Sequence, residues 1–234
     1  MSDLYIGAYW GPRRESDVQC AHRMTTCLQR LRDCDEVFSQ WFQKATSRSN
    51  ALTLPIDIGP QEAALSLFKS GRNRRDHDQT PIEDLGFRVS LWNGHKSTRS
   101  SAMSVACGIY ADNQHLRNSV VLDLPDELAN AAGKDRCLAI LTAVVDAWEP
   151  DWAGVISRTS RNSRSPNPAS PFVDWMVYIN RPGINYSSLP SAATTSNIGG
   201  RRVVVVVQDR PINPASQADV ENADAVATLL GVNQ

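Results

Sequence analysis

Asp76-His77-Asp78 is the densest group of metal-ligand side chains in this sequence of 234 residues. Adjacent loop residues rarely converge on one ion without ligands from elsewhere, and Arg74 and Arg75 precede them, so no metal site is expected. Asp123, Asp126 and Glu127 are the residue types that general acid and base chemistry uses. Their place, at the end of an apolar run and the start of a helical one, better suits carboxylates that cap free backbone N–H groups at a positive helix terminus. His22, His95 and His115 are scattered, with no partner motif. G-x-S-x-G, H-E-x-x-H, the P-loop and G-x-G-x-x-G are all absent. With no nucleophile, base and orienting group in a recognisable arrangement, the expectation is a protein that is not an enzyme and takes no cofactor.

Five cysteines offer a second kind of chemistry. Cys20, Cys27 and Cys34 are successive heptad positions of one apolar stripe, about 10.5 Å apart along a helix and beyond the roughly 7 Å Cα reach of a disulfide. Cys107 and Cys137 lie in other apolar segments and no C-x-x-C occurs, so all five read as reduced core thiols.

The six tryptophans divide by position. Trp41, Trp148 and Trp175 fit element interiors. Trp10, Trp92 and Trp152 stand at element ends or turns, either as interface anchors or as plugs closing the end of a sheet.

The elements that must position these residues follow from periodicity. Leu4 to Tyr9 reads as a strand closed by Trp10-Gly11-Pro12. Ser16 with Gln19 forms a capping box that opens a helix. Along it Cys20, Met24, Cys27, Leu31, Cys34, Phe38 and Trp41 alternate by four and three residues, predicting about seven turns with one core-facing side. An extended stretch, Leu52 to Ile58, and a short helix, Pro60 to Ser70, come next. Strands are predicted at Phe87–Trp92, Ala102–Tyr110 and Ser119–Leu124. A helical region from Pro125 to Trp148 is broken at Gly133, and strands follow at Trp152–Ser157, Phe172–Ile179 and Arg202–Gln208. The run Val203–Val207 lacks alternation, as in a central strand covered on both faces. Arg158 to Pro171 reads as a linker-like piece, either a binding loop or a disordered excursion, Arg181 to Gly200 as a loop, and Ser216 to Leu230 as a last helix stopped by Gly231. The expected fold is a single α+β domain over residues 1–234. Its core is one mixed, mostly antiparallel sheet of six or seven strands, with a long N-terminal helix and further helices mainly on one face.

Composition narrows the partner. Net charge is −1, with 24 basic against 25 acidic side chains, which argues against a dedicated nucleic-acid binder. Apolar runs are too short to span a bilayer and Met1-Ser2-Asp3-Leu4 lacks a signal-peptide pattern, so a cytoplasmic chain with no membrane contact is expected. The balance is uneven along the chain. Residues 120–152 carry seven acids (Asp123, Asp126, Glu127, Asp135, Asp146, Glu149, Asp151) against Lys134 and Arg136. Residues 157–211 carry seven arginines against Asp174 and Asp209.

The chain resembles the immunity protein 52 family of bacterial polymorphic-toxin systems. The likeness rests on Tyr5-Ile6-Gly7-Ala8-Tyr9-Trp10-Gly11-Pro12-Arg13 with Glu15-Ser16, on Cys20-Ala21 and Arg23, and on Trp41-Phe42. It extends to Leu85-Gly86-Phe87 with Leu91-Trp92-Asn93-Gly94, and to Ala147-Trp148 with Trp152. It covers approximately residues 4 to 180; no motif places the tail from Arg181 onward. The resemblance implies a non-catalytic protein that binds and neutralises a cognate toxin, a restriction-endonuclease-fold nuclease delivered by contact-dependent secretion such as type VI. Such a nuclease presents a basic cleft, which Glu149 and Asp151 would occupy with Trp152 as apolar anchor, and Asp76 and Asp78 would form a second, weaker patch. A tight complex of this kind buries about 1,600 Å². Two other classes stay open: an anion- or nucleic-acid-binding module using the arginines of 157–211, and a small hydrolase of unrecognised type. The sequence carries no signal of oligomeric state.

Overall fold

Strand β1 (Leu4–Trp10) is apolar on both sides because both sides are covered. Leu4, Ile6, Ala8 and Trp10 enter the main core, while Tyr5 and Tyr9 point to the opposite face of the sheet. Gly7 between them is a close-approach position: a Cβ there would lie 2.7 Å from the Tyr9 ring and 3.1 Å from that of Tyr5. The computed structural model describes residues 3–113, 115–164 and 170–232.

Around β1 the sheet is built from β2 (Trp41–Gln43), β3 (Pro55–Ile56), β4 (Phe87–Trp92), β5 (Ala102–Cys107) and β6 (Asn118–Asp123) on one side. On the other side are β7 (Trp152–Ser157), β8 (Met176–Ile179), β9 (Thr194–Asn197) and β10 (Val203–Val206). The order is β3-β2-β4-β5-β6-β1-β7-β8-β10-β9, and every ladder is antiparallel. Ten strands therefore replace the six or seven expected, and the sheet is not mixed. The strands that periodicity missed are too short to alternate. β9 is Thr-Thr-Ser-Asn with no large apolar residue, inside the segment read as a loop.

One face carries α1 (Asp17–Cys34), α3 (Gln61–Ser70) and α4 (Lys134–Trp148), with α1 in contact with both of the others; α2 (Arg48–Leu52) is a single turn ahead of β3. The capping box of Ser16 and Gln19 is present as expected. The helix it opens stops early. Asp35 takes extended backbone, its carboxylate accepts from the Val37 N–H at 3.0 Å, and a 3₁₀ turn over Glu36–Phe38 leads into β2. An aspartate that bonds the backbone competes with helix continuation, so the stripe ends at Cys34 even though Phe38 and Trp41 still reach the core. The five cysteines are free, all but half-buried Cys34 lie inside, and burial pushes the Cys27 thiol up to about 12.

The other face is covered over only part of its width. Val204 and Val206 join the main core, while Val205 and Val207 pack with Ala223, Val226 and Ala227 of α6 (Gln217–Leu229). The valine run is covered on both faces as expected, but β10 lies next to the edge, not at the centre, and α6 supplies the second cover. Arg158–Arg164, part of the segment read as a linker, forms helix α5, and residues 165–169 of it lie outside the described residues. Arg158 stands over the Tyr5 ring at 4.6 Å and Arg161 over Phe172 at 5.1 Å, which closes this face above β1 and β7. Over β4 and β5 it stays open: Arg88, Ser90 and Ser104 are exposed.

Beneath α5, Asp174 is fully buried and accepts from the Ser157 N–H at 2.6 Å and the Ser160 hydroxyl at 2.8 Å. Burial pushes its carboxyl up to about 6, against those bonds and the Arg164 guanidinium. Between the ordinary 3.8 and about 6 the folded chain thus holds more proton than the unfolded one, and stability from this group falls as pH rises through that window. The difference in unfolding free energy between Asp174→Asn and the parent chain is expected to move in favour of the variant, by up to about 3 kcal/mol, from pH 4 to pH 7. Urea titrations at a series of pH values measure it, and a difference independent of pH would contradict the assignment.

Candidate functional site

Six of the residues quoted above for the family resemblance, Trp10, Gly11, Arg13, Glu15, Arg23 and Trp148, meet at the C-terminal end of α4. That helix has no basic residue in its last turn, yet a helix C-terminus presents unpaired carbonyls and partial negative charge. Two arginines from elsewhere supply the missing donors. Arg23 of α1 donates from Nη1 to the Ala147 carbonyl at 2.9 Å. Arg13, in the turn after β1, donates from Nη2 to the Trp148 carbonyl at 2.8 Å and from Nη1 to that of Glu149 at 3.3 Å. Glu15 lies between the two guanidiniums, 9% exposed, with Arg23 Nε at 2.6 Å and Arg13 Nε at 3.2 Å. Glu149 closes the helix in the left-handed conformation at φ 49°, and its Oε2 accepts from Arg23 Nη2 at 2.9 Å. Burial works against the Arg23 charge, and the Glu149 hydrogen bond with the Glu15 carboxylate outweighs it, so this guanidinium sits above its usual pKa.

Aromatic packing fixes the same junction. Trp10 stacks on Trp148 with centroids 5.7 Å apart, and Arg13 lies 4.8 Å over the Trp10 ring. Asp151 Oδ2 accepts from the Gly11 N–H at 2.8 Å, and the buried Asn118 amide donates to the Gly11 carbonyl at 2.6 Å. Beside the junction, between α1 and the end of α4, runs a groove of about 480 Å³ lined by Val18, His22, Arg23, Thr26, Asp146 and Glu149. Val18 is 51% exposed. No group of three or more His, Cys, Asp or Glu among the described residues is placed to hold a metal.

Of the residues singled out in the sequence, Glu149 and Asp151 are brought together, exposed, on either side of the buried Pro150. Trp152 is 3% exposed and stacks on Tyr9 at 4.5 Å; it plugs the sheet and offers no ring to a partner, and Trp10 plugs it likewise. Asp76 and Asp78 are exposed on the turn between α3 and β4, apart from this junction. Hydrogen bonds from Thr80 hold the Asp78 carboxyl below its ordinary pKa. The acidic stretch is largely compensated in space: Asp123 pairs with Arg158, Asp146 with Arg30 at 2.5 Å and Arg202 at 2.8 Å, and Glu149 with Arg23. Two of those partners come from the arginine-rich segment itself. Arg13, Glu15 and Asp146 stand out in the sequence only as parts of a motif and of an acidic stretch, and their meeting at this junction was signalled only by the capping need of an α4 without a terminal base.

The family model described as Immunity protein 52 matches residues 2–232. The chain belongs to the immunity protein 52 family. Immunity proteins bind toxins and are not enzymes, which fits a junction made of capping and packing contacts. The match includes the tail from Arg181, which supplies β9, β10 and α6. No curated protein matches the chain. Among solved structures, a Pseudomonas aeruginosa T6SS protein superposes with a TM-score of 0.59 at 12% identity, over 97% of this chain and 72% of that one. At that identity the likeness is one of fold. No helix among the described residues is long and apolar enough to cross a membrane.

Arg23 holds three partners, so Arg23→Ala is expected to cost about 2 kcal/mol or more, leaving Glu15 buried with one guanidinium. Glu149→Gln, whose carboxylate is mostly exposed, is expected to cost less than about 1 kcal/mol. Urea denaturation of the two variants checks the order, and a reversed order would contradict the capping account.

Proposed function

We propose that the chain neutralises a cognate antibacterial toxin in the cell that carries both, and that the toxin is a restriction-endonuclease-fold nuclease delivered by contact-dependent, type VI-like secretion. The observation that carries the reading is the family match along residues 2–232; the T6SS description of a fold neighbour is in keeping with it, and the nuclease assignment rests on the resemblance of motifs.

The proposed acidic contact is Glu149 and Asp151. Both are exposed and stand on a helix end locked by Arg13 and Arg23, so little side-chain freedom remains to be lost on binding. Arg23 engages Oε2 of Glu149, so Oε1 is the oxygen proposed to meet a partner cation. Against a nuclease cleft these carboxylates compete with phosphate and speed association. Trp152, buried against Tyr9, holds the start of β7 that follows Asp151, and Asp76 with Asp78 forms the second acidic patch. The alternative of an arginine-rich anion binder loses support because Arg158, Arg164, Arg202 and Arg210 already face Asp123, Asp224, Asp146 and Asp219.

Expression of the toxin domain from the neighbouring reading frame should arrest growth, and co-expression of this chain should restore it. The double variant Glu149→Lys, Asp151→Lys should lose about tenfold or more in toxin affinity while still folding cooperatively, at a cost of about 1 to 3 kcal/mol from the lost Arg23 and Gly11 contacts. Unchanged affinity of the variant would remove the site, and failure of the parent chain to restore growth would remove the function.

A further inference from the structure

The half of the sheet that no helix covers is a shaped surface. Its floor is a row of small residues across three strands: Ser90 of β4 faces Ser104 of β5, their hydroxyls 3.4 Å apart, and Ser104 faces half-buried Val121 of β6. The row ends on one side where Tyr5 and Tyr9 fold over Gly7. On the other it reaches Lys44, whose N–H donates to the Ser90 carbonyl at 3.2 Å. One flanking row is Phe42, Trp92 and Ala102, all half-buried, and the other holds exposed Arg88. Arg48 of α2 stands 5.5 Å over the Trp92 ring. Leu52 and Leu54, at 42% and 40% exposure, lie beside the Pro55–Phe42 pair.

The charge of this surface has one sign. Lys44, Arg48 and Arg88 have no carboxylate within ion-pair distance among the described residues, and Asp123, at the inner end of the face, is taken by Arg158. We propose that this trough docks an acidic segment of the toxin, one that offers carboxylates to Lys44, Arg48 and Arg88 and apolar side chains to Phe42, Trp92 and the serine floor. The inference rests on the immunity reading and adds to it a contact outside any phosphate-binding cleft, since such a cleft is itself basic. Two other occupants fit less well. A second copy packing the same face against itself would oppose three cations to three. Single-stranded nucleic acid stacks its bases on open ring faces, whereas the Trp92 ring is engaged by Arg48 and by Phe42 at 6.2 Å, and its Nε1 donates to the Ser100 hydroxyl at 3.2 Å.

The chain has only four lysines, Lys44, Lys69, Lys96 and Lys134, so amine acylation reads the surface in the unaltered protein. With the toxin domain of the neighbouring reading frame bound, acylation of Lys44 should fall about fivefold or more while Lys69, at the end of α3, reacts as before. Lys44→Glu with Arg88→Glu should weaken binding about tenfold or more and flatten its salt dependence, with an unchanged melting curve. If toxin binds and growth is protected but Lys44 reacts equally and the variant binds like the parent, the docking surface is refuted and the immunity reading stands. If the parent chain does not bind the toxin, both fall. Toxin-free dimers, or retention of single-stranded nucleic acid, abolished by Lys44→Glu with Arg88→Glu would assign the trough to another occupant and overturn the proposal.

Discussion

The unfilled C-terminal end of α4 is the constraint from which the rest of the arrangement follows. A buried helix end must have its carbonyls satisfied, and α4 ends Val-Val-Asp-Ala-Trp with no cation of its own. Meeting that need brings Arg13 from the turn after β1 and Arg23 from α1 to one point. The contact fixes how α1 lies along α4 and how the chain leaves the central strand. It also sets where Glu149 turns the chain toward β7. Glu15 then becomes necessary, because two guanidiniums at one helix end require a counter-charge inside the fold.

Charge organises the molecule on a larger scale by the same logic. The acidic and arginine-rich segments follow one another in sequence, but the residues that pair lie 35 to 75 positions apart, and Arg158, Arg202 and Lys134 spend their charge on Asp123, Asp146 and Asp209. In the proposed reading a partner meets the exposed Glu149, whose Oε2 is held by Arg23, with Asp151 at the end of the sheet, and Lys44, Arg48 and Arg88 over its open half. A protein of near-zero net charge can thus offer two surfaces of opposite sign, a combination suited to recognising another protein more than a uniformly charged polymer.

Much of this was legible in the residues. The capping box, the core-facing stripe as far as Cys34, the break at Gly133 and the strands with five or six residues of clear patterning follow from local rules. Local rules failed where the deciding contact was distant. Asp35 ends α1 by bonding Val37, although the apolar period continues through Phe38 and Trp41. β9 exists only because β10 offers it a partner, and the Arg158–Arg164 helix sits where its arginines meet Tyr5, Trp152 and Phe172. The site was half-legible for the same reason: Glu149 and Asp151 are visible as acids near a helix end, but Arg13, Glu15 and Arg23 become a unit only once β1, α1 and α4 are assembled. Trp152 stayed open between anchor and plug because an aromatic at a strand start looks the same whether it faces solvent or Tyr9, and the fold buries it against Tyr9.

In the proposed function the chain acts by stoichiometric capture of a toxin. Calorimetric titration of the purified toxin domain with the purified chain, followed by assay of the toxin's activity on the titrated samples, tests it in one experiment. The account requires a one-to-one transition with a dissociation constant in the nanomolar range or tighter, on the order of −12 kcal/mol, and loss of toxin activity in proportion to the complex formed. A toxin that binds no chain at micromolar concentration, or that stays fully active when saturated with it, would contradict the account.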